Sequence, residues 1–381
     1  MSNFINPSVL AAESLDQLDY ELVAGGLMYR DRTEDFASVR GLKVGSAVTI
    51  RTVSEFETTE FTGVGPVVPQ QIQQSSTQLT IEKHFDCSIE ITARERALNL
   101  DGLRKEVITP AMQSLAQDID TYLLTKATES QGLYVHATPL ATAALIAQTN
   151  KTATIQQISK INRIGLVNED LEAVLLGQDA FTKFDTRGED GADALRNASM
   201  GFLMGVDWFS TVNFPNVTRT AGDGATTLDS ALSTSNLQGS STLVVDSTTD
   251  TFLVGDKIQI AGAKRAYTVA TETAATATAI PLVEQINENL AGLDGAAITV
   301  ISDGTSATYE GIYFNPGAYG FAAPPLDPAA GAASGVATAE GMSVRVTEAY
   351  DILSKKTYWS FDLLCGAKAV DPRKSMLIGN Q

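Results

Sequence analysis

Side chains that could do chemistry are few and widely spaced in this 381-residue chain. Neither of the two histidines, His84 and His136, belongs to a motif of several metal ligands, so zinc binding and nucleophile–base catalysis lack their usual groups. The phosphate-binding pattern Gly-x-x-x-x-Gly-Lys is absent from the sequence. We therefore predict that the chain has no catalytic, cofactor-binding or metal-binding residue and is not an enzyme.

Two groups of three acidic residues are the strongest remaining candidates for a site: Asp246, Asp250 and Asp256, and Asp185, Glu189 and Asp190. The first group could collect a calcium ion, but it lacks the regular spacing of a calcium loop, and turn formation explains it better. The second group could form a carboxylate-only enzyme site. It lies in a glycine-containing acidic loop, which a flexible turn explains more plainly.

Net charge and cysteine content narrow the class of protein further. The formal charge of −18 and the pI near 4.5 argue against a surface that grips nucleic acid or an anionic membrane, since both would be repelled. Cys87 and Cys365 are the only cysteines, so we predict buried, inert thiols in a reducing compartment. Without a secretory signal pattern or a membrane-length apolar run, the expected place of synthesis is the cytoplasm.

The chain is organised around residues 78–129, where a strand pattern is followed by a long helix pattern. Strict alternation over residues 78–92 predicts one long, half-buried strand with Phe85, Ile89 and Ile91 on its apolar face. The helix then predicted should pack on that face through a stripe of apolar residues at three-to-four spacing: Leu103, Val107, Met112, Leu115, Ile119 and Leu123.

Elements on both sides of this stretch follow from the same patterns. Residues 8–35 carry a helical leucine stripe, which indicates either a helix on its own domain or an arm that reaches a neighbouring subunit. The polar residues 54–76 should project as an extended hairpin loop. Further along we expect a helix at 155–166, a short buried strand at 171–177, a low-complexity loop at 324–341 and two final strands, at 343–349 and 356–364.

Residues 221–304, called the insert below, differ in composition from the rest of the chain. Short β-type runs alternate with Gly-Asp turns, which is typical of a small barrel or sandwich placed within a parent fold. Ten acidic residues against three basic ones favour a module that faces solvent.

Taken in order, several segments resemble the major capsid proteins of tailed double-stranded DNA phages, and most closely the coat proteins of short-tailed Salmonella phages. The segments that carry the resemblance are Leu18-Asp-Tyr-Glu-Leu-Val23, Met28-Tyr-Arg-Asp-Arg32, Lys43-Val-Gly-Ser-Ala-Val-Thr-Ile-Arg51, residues 78–91, Ala116-Gln-Asp-Ile-Asp-Thr-Tyr122, Gly205-Val-Asp-Trp-Phe209, Phe314-Asn-Pro-Gly-Ala318, Pro324-Pro-Leu326 and Gly341-Met-Ser-Val-Arg-Val346.

The resemblance implies an α+β fold of the Hong Kong 97 type, divided into several named parts. These are an N-terminal arm at 1–40, an extended loop at 41–77, a peripheral domain with a spine helix at 78–135 completed by part of 342–381, an axial domain at 136–220 and 305–341, and an inserted β-rich domain at 221–304.

The function that the resemblance implies is a structural subunit of an icosahedral shell around packaged double-stranded DNA. Its partners would be copies of itself in hexamers and pentamers, a scaffolding protein and a portal protein, with no cofactor, no membrane and no sequence-specific DNA binding. The subunit would be assembled in the host cytoplasm and reside in the virion capsid. An alternative is a binding module in which the insert engages a glycan or host protein through Phe252 and Tyr267, its only aromatic residues.

Overall fold

The structure is a computed structural model. It describes residues 7–30, 45–51, 76–92, 107–129, 133–135, 143–156, 158–178, 200–220, 222–229, 239–286, 288, 290, 293–301, 306–329, 331–353 and 356–380. The chain forms two compact units. The first comprises Met1–Thr49, Gln78–Lys126 and Tyr319–Lys368, and the second comprises Ile50–Thr77, Ala127–Ala318 and Ala369–Gln381.

The first unit is built on a five-stranded sheet in which β19 is central. Along β19 the large side chains of Trp359, Phe361 and Leu363 are buried, as alternation in a strand requires. β19 pairs antiparallel with β18 on one side and with β3 on the other. The strands are β3 (Lys83–Thr92), β16 (Tyr319–Ala322), β17 (Ala333–Ala339), β18 (Met342–Asp351) and β19 (Lys356–Ala369).

The strand predicted at 78–92 is two strands, so this prediction is wrong in one respect. β2 (Ser76–Thr80) pairs with β1 (Ala47–Arg51), and β3 begins only at Lys83. Between them the chain changes partner, because the N–H of Ile81 donates to the Ser46 carbonyl and the N–H of Glu82 to the Cys365 carbonyl. Alternation continues across the change, so the sequence pattern alone does not reveal it.

The spine helix α3 (Thr109–Glu129) is the longest helix in the described part of the chain and spans about 31 Å. Pro110 lies in its first turn, where its missing N–H leaves no intrahelical bond unmade. The predicted stripe residues Met112, Leu115, Ile119 and Leu123 are all buried. The ring of Tyr122 meets that of Phe85 edge-on at 6.1 Å between centroids, which joins the helix to β3. Leu103 lies outside the described residues.

The described part of the N-terminal segment contains a helix that packs on its own chain. Helix α1 (Pro7–Glu21) buries Leu10, Leu15 and Leu18 and lies against β17 and β18 of its own chain; α2 (Ala24–Leu27) follows. Gly335 in β17 makes this approach possible, since a Cβ there would lie 2.4 Å from the carbonyl carbon of Pro7.

The prediction of a low-complexity loop at 324–341 is wrong for part of that range. Residues Ala333–Ala339 form strand β17, paired with β18 over its whole length, in the first unit. The alanine and glycine content reflects the close helix α1 rather than a loop, because small side chains let the helix lie on the strand.

The second unit contains a seven-stranded sheet in the order β4-β20-β15-β5-β7-β6, with β8 paired to β15. Gly165 of β5 lies beneath the Trp208 ring of the neighbouring β7, where a Cβ would come within 2.5 Å of the indole. The strands are β4 (Leu133–Val135), β5 (Ile164–Val167), β6 (Gly201–Leu203), β7 (Val206–Ser210), β8 (Thr218–Thr220), β15 (Ser306–Phe314) and β20 (Ser375–Asn380).

Two element predictions in this unit are wrong. A helix was expected at 155–166, but the observed helix α4 is Ala143–Ile155 and therefore ends at the first residue of the expected one. Strand β5 then begins at Ile164. The strand expected at 171–177 is helix α5 (Glu169–Leu176). Asn168 caps it by accepting a hydrogen bond from the Leu171 N–H at 2.9 Å, and this N-cap overrides the apolar run.

The insert within the second unit has a four-stranded sheet, β12-β11-β14-β9, and a two-stranded sheet, β10-β13. The side chains that fill its core include Leu243, Ile258, Tyr267 and Ile298 from the two sheets and Phe252 from the segment between β10 and β11. Its strands are β9 (Ala225–Thr227), β10 (Thr242–Val244), β11 (Lys257–Ile260), β12 (Ala266–Thr268), β13 (Ala279–Pro281) and β14 (Ala297–Val300).

Replacing Leu115 with Asp tests the spine helix. Leu115 is 2% exposed, and a carboxylate without a partner there should cost several kcal/mol, a large share of a typical domain stability of about 5–15 kcal/mol. We expect loss of soluble, folded subunit, measured by soluble yield and circular dichroism. Ser114→Asp, on the exposed side of the same helix, is the control. A folded Leu115→Asp subunit with an unchanged melting temperature contradicts the packing described.

Candidate functional site

The acidic residues considered for calcium are held apart in separate turns. Asp256 is buried, and its Oδ2 accepts hydrogen bonds from the N–H groups of Gly222 at 3.0 Å and Leu253 at 2.8 Å. Asp246 accepts from the Thr227 hydroxyl at 2.7 Å, and Asp250 is exposed. Within the described ranges, no group of three or more His, Cys, Asp or Glu is placed to hold a metal ion.

His84 and the two cysteines have structural surroundings. His84 Nε2 lies 3.1 Å from Asp362 Oδ2, and the same buried carboxylate accepts from Nε and Nη2 of Arg345, so the group ties β3, β19 and β18 together. Burial raises the pKa of Cys365 to about 12 and also raises that of Cys87, so both stay thiols at neutral pH. His136, Asp185, Glu189 and Asp190 lie outside the described residues.

The aromatic residues named for glycan or host-protein binding are inside the insert. Phe252 is 0% and Tyr267 1% exposed, and the Tyr267 hydroxyl donates to Glu288 Oε1 at 3.0 Å. Both rings pack in the core between the two sheets. Neither can line a surface patch, so the alternative function loses the aromatic groups on which it depended.

A buried carboxylate on the spine helix holds the N-terminal segment in place. Asp120 accepts hydrogen bonds from the N–H groups of Val23 and Gly25, each at 2.9 Å, at the turn between α1 and α2. Burial raises the pKa of Asp120, against the opposing effect of these backbone bonds and of Arg30. This contact was not predicted from the sequence. A signal was present, because Asp120 follows the buried Ala116 by four residues and therefore lies on the apolar side of the helix.

A buried lysine joins the insert to the parent part of the second unit. The Nζ of Lys257, on β11, donates to the Pro372 carbonyl at 2.9 Å, 115 residues away in sequence. Burial lowers the pKa of Lys257, while Glu284 and Asp371 act in the opposite direction. Glu284 is buried as well and accepts from the Thr268 N–H at 2.7 Å; burial raises its pKa. For both groups burial outweighs the Coulomb attraction between them, so each pKa is shifted toward the neutral form.

The insert is thus less solvated than its composition indicated. Of its acidic residues, Asp256, Glu284 and Glu288 are buried and hydrogen-bonded within the module or at its junction. The short helix Pro372–Lys374 that receives Lys257 is itself capped by Asp371. Although burial raises the pKa of Asp371, the adjacent Arg373 and Lys374 hold it below the usual value.

The turn between β18 and β19 carries an exposed apolar cluster, called the hairpin tip below. Leu353 is 94% exposed and Ile352 69%, and Tyr350 and Tyr358 of the adjoining strands are exposed on opposite faces of the sheet. Single exposed apolar residues are common on monomers, but the adjacent Ile352 and Leu353 together present an exposed apolar surface at the turn. No helix within the described residues is long and apolar enough to cross a membrane.

Among comparisons with known proteins, only the comparison with solved structures finds similar chains. No family model matches this chain, and no curated protein matches it by sequence. A solved structure from Mycobacterium phage Che8 is similar, with a TM-score of 0.53 and 12% identity over 94% of this chain and 90% of that chain. At this identity the likeness shows the fold alone, and the predicted fold class, an α+β fold of the tailed-phage capsid type, is confirmed.

Two further structures overlay less well. The capsid of Ralstonia phage GP4 gives a TM-score of 0.47 at 10% identity, over 89% of this chain and 84% of that chain. The capsid of the cyanophage P-SCSP1u gives 0.46 at 11% identity, over 89% and 85% respectively.

Replacing Asp120 with Asn should lower the free energy of unfolding by about 1–3 kcal/mol. The amide oxygen can accept from only one of the two backbone N–H groups, and the amide NH₂ then faces the other N–H, donor against donor. Chemical denaturation of the subunit measures the change. Asp118→Asn, two residues away and exposed, should be nearly neutral. Equal stability of both variants contradicts a holding role for Asp120.

Replacing Lys257 with Met should destabilise the subunit by about 1–3 kcal/mol, since it leaves the Pro372 carbonyl without its donor and removes the favourable Coulomb interaction of Lys257 with the buried Glu284. Adding Glu284→Gln should recover part of the loss, which a double-mutant cycle in thermal unfolding measures. Lys264→Met, at an exposed lysine of the same insert, should change stability by less than about 0.5 kcal/mol. Fully additive effects of the first two substitutions contradict the coupling.

Proposed function

We propose that this chain is a major capsid protein that self-assembles into an icosahedral shell around the packaged double-stranded DNA of a tailed phage. The observation that carries the proposal is the capsid-type fold, which the chain shares over nearly its whole length with the Che8 structure. A subunit of this kind needs surfaces rather than reactive groups. The candidate reactive groups in the described residues have structural partners instead, which agrees with a structural, non-enzymatic role.

The charge of the chain suits a container for DNA. At a net charge of −18 the subunit repels the phosphate backbone, so the genome can be packed against it without being bound. The proposed partners are therefore copies of the chain in hexamers and pentamers, with a scaffolding protein during assembly and a portal protein. In this proposal assembly takes place in the host cytoplasm, and relationship to the coat proteins of short-tailed Salmonella phages remains a prediction from the segments quoted above.

The hairpin tip supplies a contact of the kind that such assembly requires. Leu353 and Ile352 expose apolar surface that contact with a neighbouring subunit would remove from water. Each contact contributes little by itself, and closed symmetry repeats it over every subunit of the shell. The extended loop predicted at 41–77, whose central part lies outside the described residues, is proposed as a second such contact.

Assembly of the purified subunit tests the function. Electron microscopy and sedimentation velocity, on the subunit alone and with a scaffolding protein from the same phage, should reveal closed shells or tubes. A subunit that stays monomeric at high concentration in both cases overturns the proposal.

Substitution at the hairpin tip tests the contact surface. Leu353→Asp should leave the melting temperature of the subunit unchanged, because the side chain is 94% exposed, and should abolish or strongly reduce assembly. Leu353→Met, which keeps the apolar character, should assemble like the natural subunit. Normal shells from Leu353→Asp show that the tip is not a subunit contact.

A further inference from the structure

A positively charged cavity opens in the second unit at the end of α4. It has a volume of about 470 Å³ and is lined by residues of α4, of the loop before β5 and of the turn between β6 and β7. Two exposed lysines, Lys151 and Lys160, stand at its edge, together with Ile155 and Met204, which expose 44% and 45% of their surfaces. In a chain of net charge −18, such a cavity favours an anionic partner.

Hydrogen bonds connect the elements that form the floor of the cavity. Arg163 is 4% exposed and donates to the carbonyls of Ser159 at 2.9 Å and Ile158 at 2.6 Å. Asn150 donates to the Met204 carbonyl at 2.9 Å and accepts from the Tyr313 hydroxyl at 2.7 Å. These bonds hold the lining elements together, so a partner would meet a preorganised surface.

The lysines at the edge are available for such a partner. Lys151 and Lys160 form no ion pair with any acid in the described part of the chain. With Arg163 they place three positive charges around one cavity, and their mutual repulsion is relieved when an anion enters.

Complementary charge lies at the other end of strand β5. That strand leads from Arg163 to Asn168, and the first turn of α5 then carries Glu169 and Asp170, both exposed, followed by Glu172. None of the three has an ion-pair partner among the described residues. At about 3.3 Å per residue, β5 keeps the two charged regions roughly 16 Å apart.

A subunit with opposite charges at the two ends of one strand cannot pair them within itself. Copies arranged head to tail can, since the cavity of each then meets the acidic turn of the next. A contact between two different surfaces of identical subunits generates a ring when the rotation closes. Rings of six and five are what the proposed shell needs.

We propose that the cavity edged by Lys151 and Lys160 receives Glu169 and Asp170 of a neighbouring copy of this chain within each ring of the shell. This inference rests on the proposed function. Ile155 and Met204 line the cavity with exposed apolar atoms, and the contact would exclude water from them, which strengthens the charge pairing.

Charge reversal on the two sides tests the contact. Lys151→Glu with Lys160→Glu gives a basic-side variant, and Glu169→Lys with Asp170→Lys an acidic-side variant. Each alone should remain folded and lose ring formation, because like charges then meet at every contact. All four substitutions in one chain should restore assembly at least tenfold over either variant, measured by light scattering and electron microscopy.

Mixing the two variants in equal amounts gives a sharper result. Alternating subunits match at every contact in a six-membered ring, whereas a five-membered ring always leaves one pair mismatched. The mixture should therefore form six-membered rings, tubes or sheets, and few closed shells. The chain with all four substitutions should form closed shells.

Controls separate folding, function and contact. Lys368→Glu, at an exposed lysine of the first unit, should assemble normally. If the acidic-side variant melts early, Glu169→Gln with Asp170→Asn replaces it and should reduce assembly without restoration on mixing. If the natural subunit never assembles, the proposed function fails. If it assembles and the folded variants assemble equally well, or the fourfold variant is not restored, only this contact is overturned.

Discussion

The first unit depends on one buried carboxylate. Asp120 receives the backbone of the turn after α1, and through it the N-terminal helix is held beside the spine helix of the same chain. With α1 fixed, its leucines cover β17 and β18, and the spine helix covers β3 through the Tyr122 and Phe85 rings. A carboxylate suits this place because it accepts two N–H groups at once, which no apolar side chain can do.

Sequence patterns predicted the parts of the fold whose periodicity is strong. The spine stripe from Met112 to Leu123 and the half-buried face around Phe85 are visible in the sequence because one side of each element is apolar. Short elements were misassigned where one local residue decided the outcome, as Asn168 did for α5. β17 was missed because its small residues reflect a neighbour distant in sequence.

The interactions that matter at the surfaces and junctions were harder to predict. Asp120 could have been found as an acid on an apolar stripe, but Lys257 could not, since the charged end of a lysine at the start of a strand normally reaches solvent. Its burial follows from the short helix at Pro372, far along the chain. Likewise, the charged cavity joins Lys151, Lys160 and Met204 through tertiary folding, and nothing in their local sequence marks them as neighbours.

The long-range pairing of both large sheets has a consequence for synthesis on the ribosome. β19 pairs with β3, and β20 pairs with β15, so neither sheet can close until residues 356–380 have left the exit tunnel. The core of the insert lies wholly within residues 228–300, so the insert can fold earlier. The hydrogen bond from Lys257 forms only after Pro372 has been synthesised. During that interval the edges of β3 and β15 lack partners, and unpaired edges invite aggregation. Folding chaperones are therefore expected to act on the nearly finished chain rather than on its early segments.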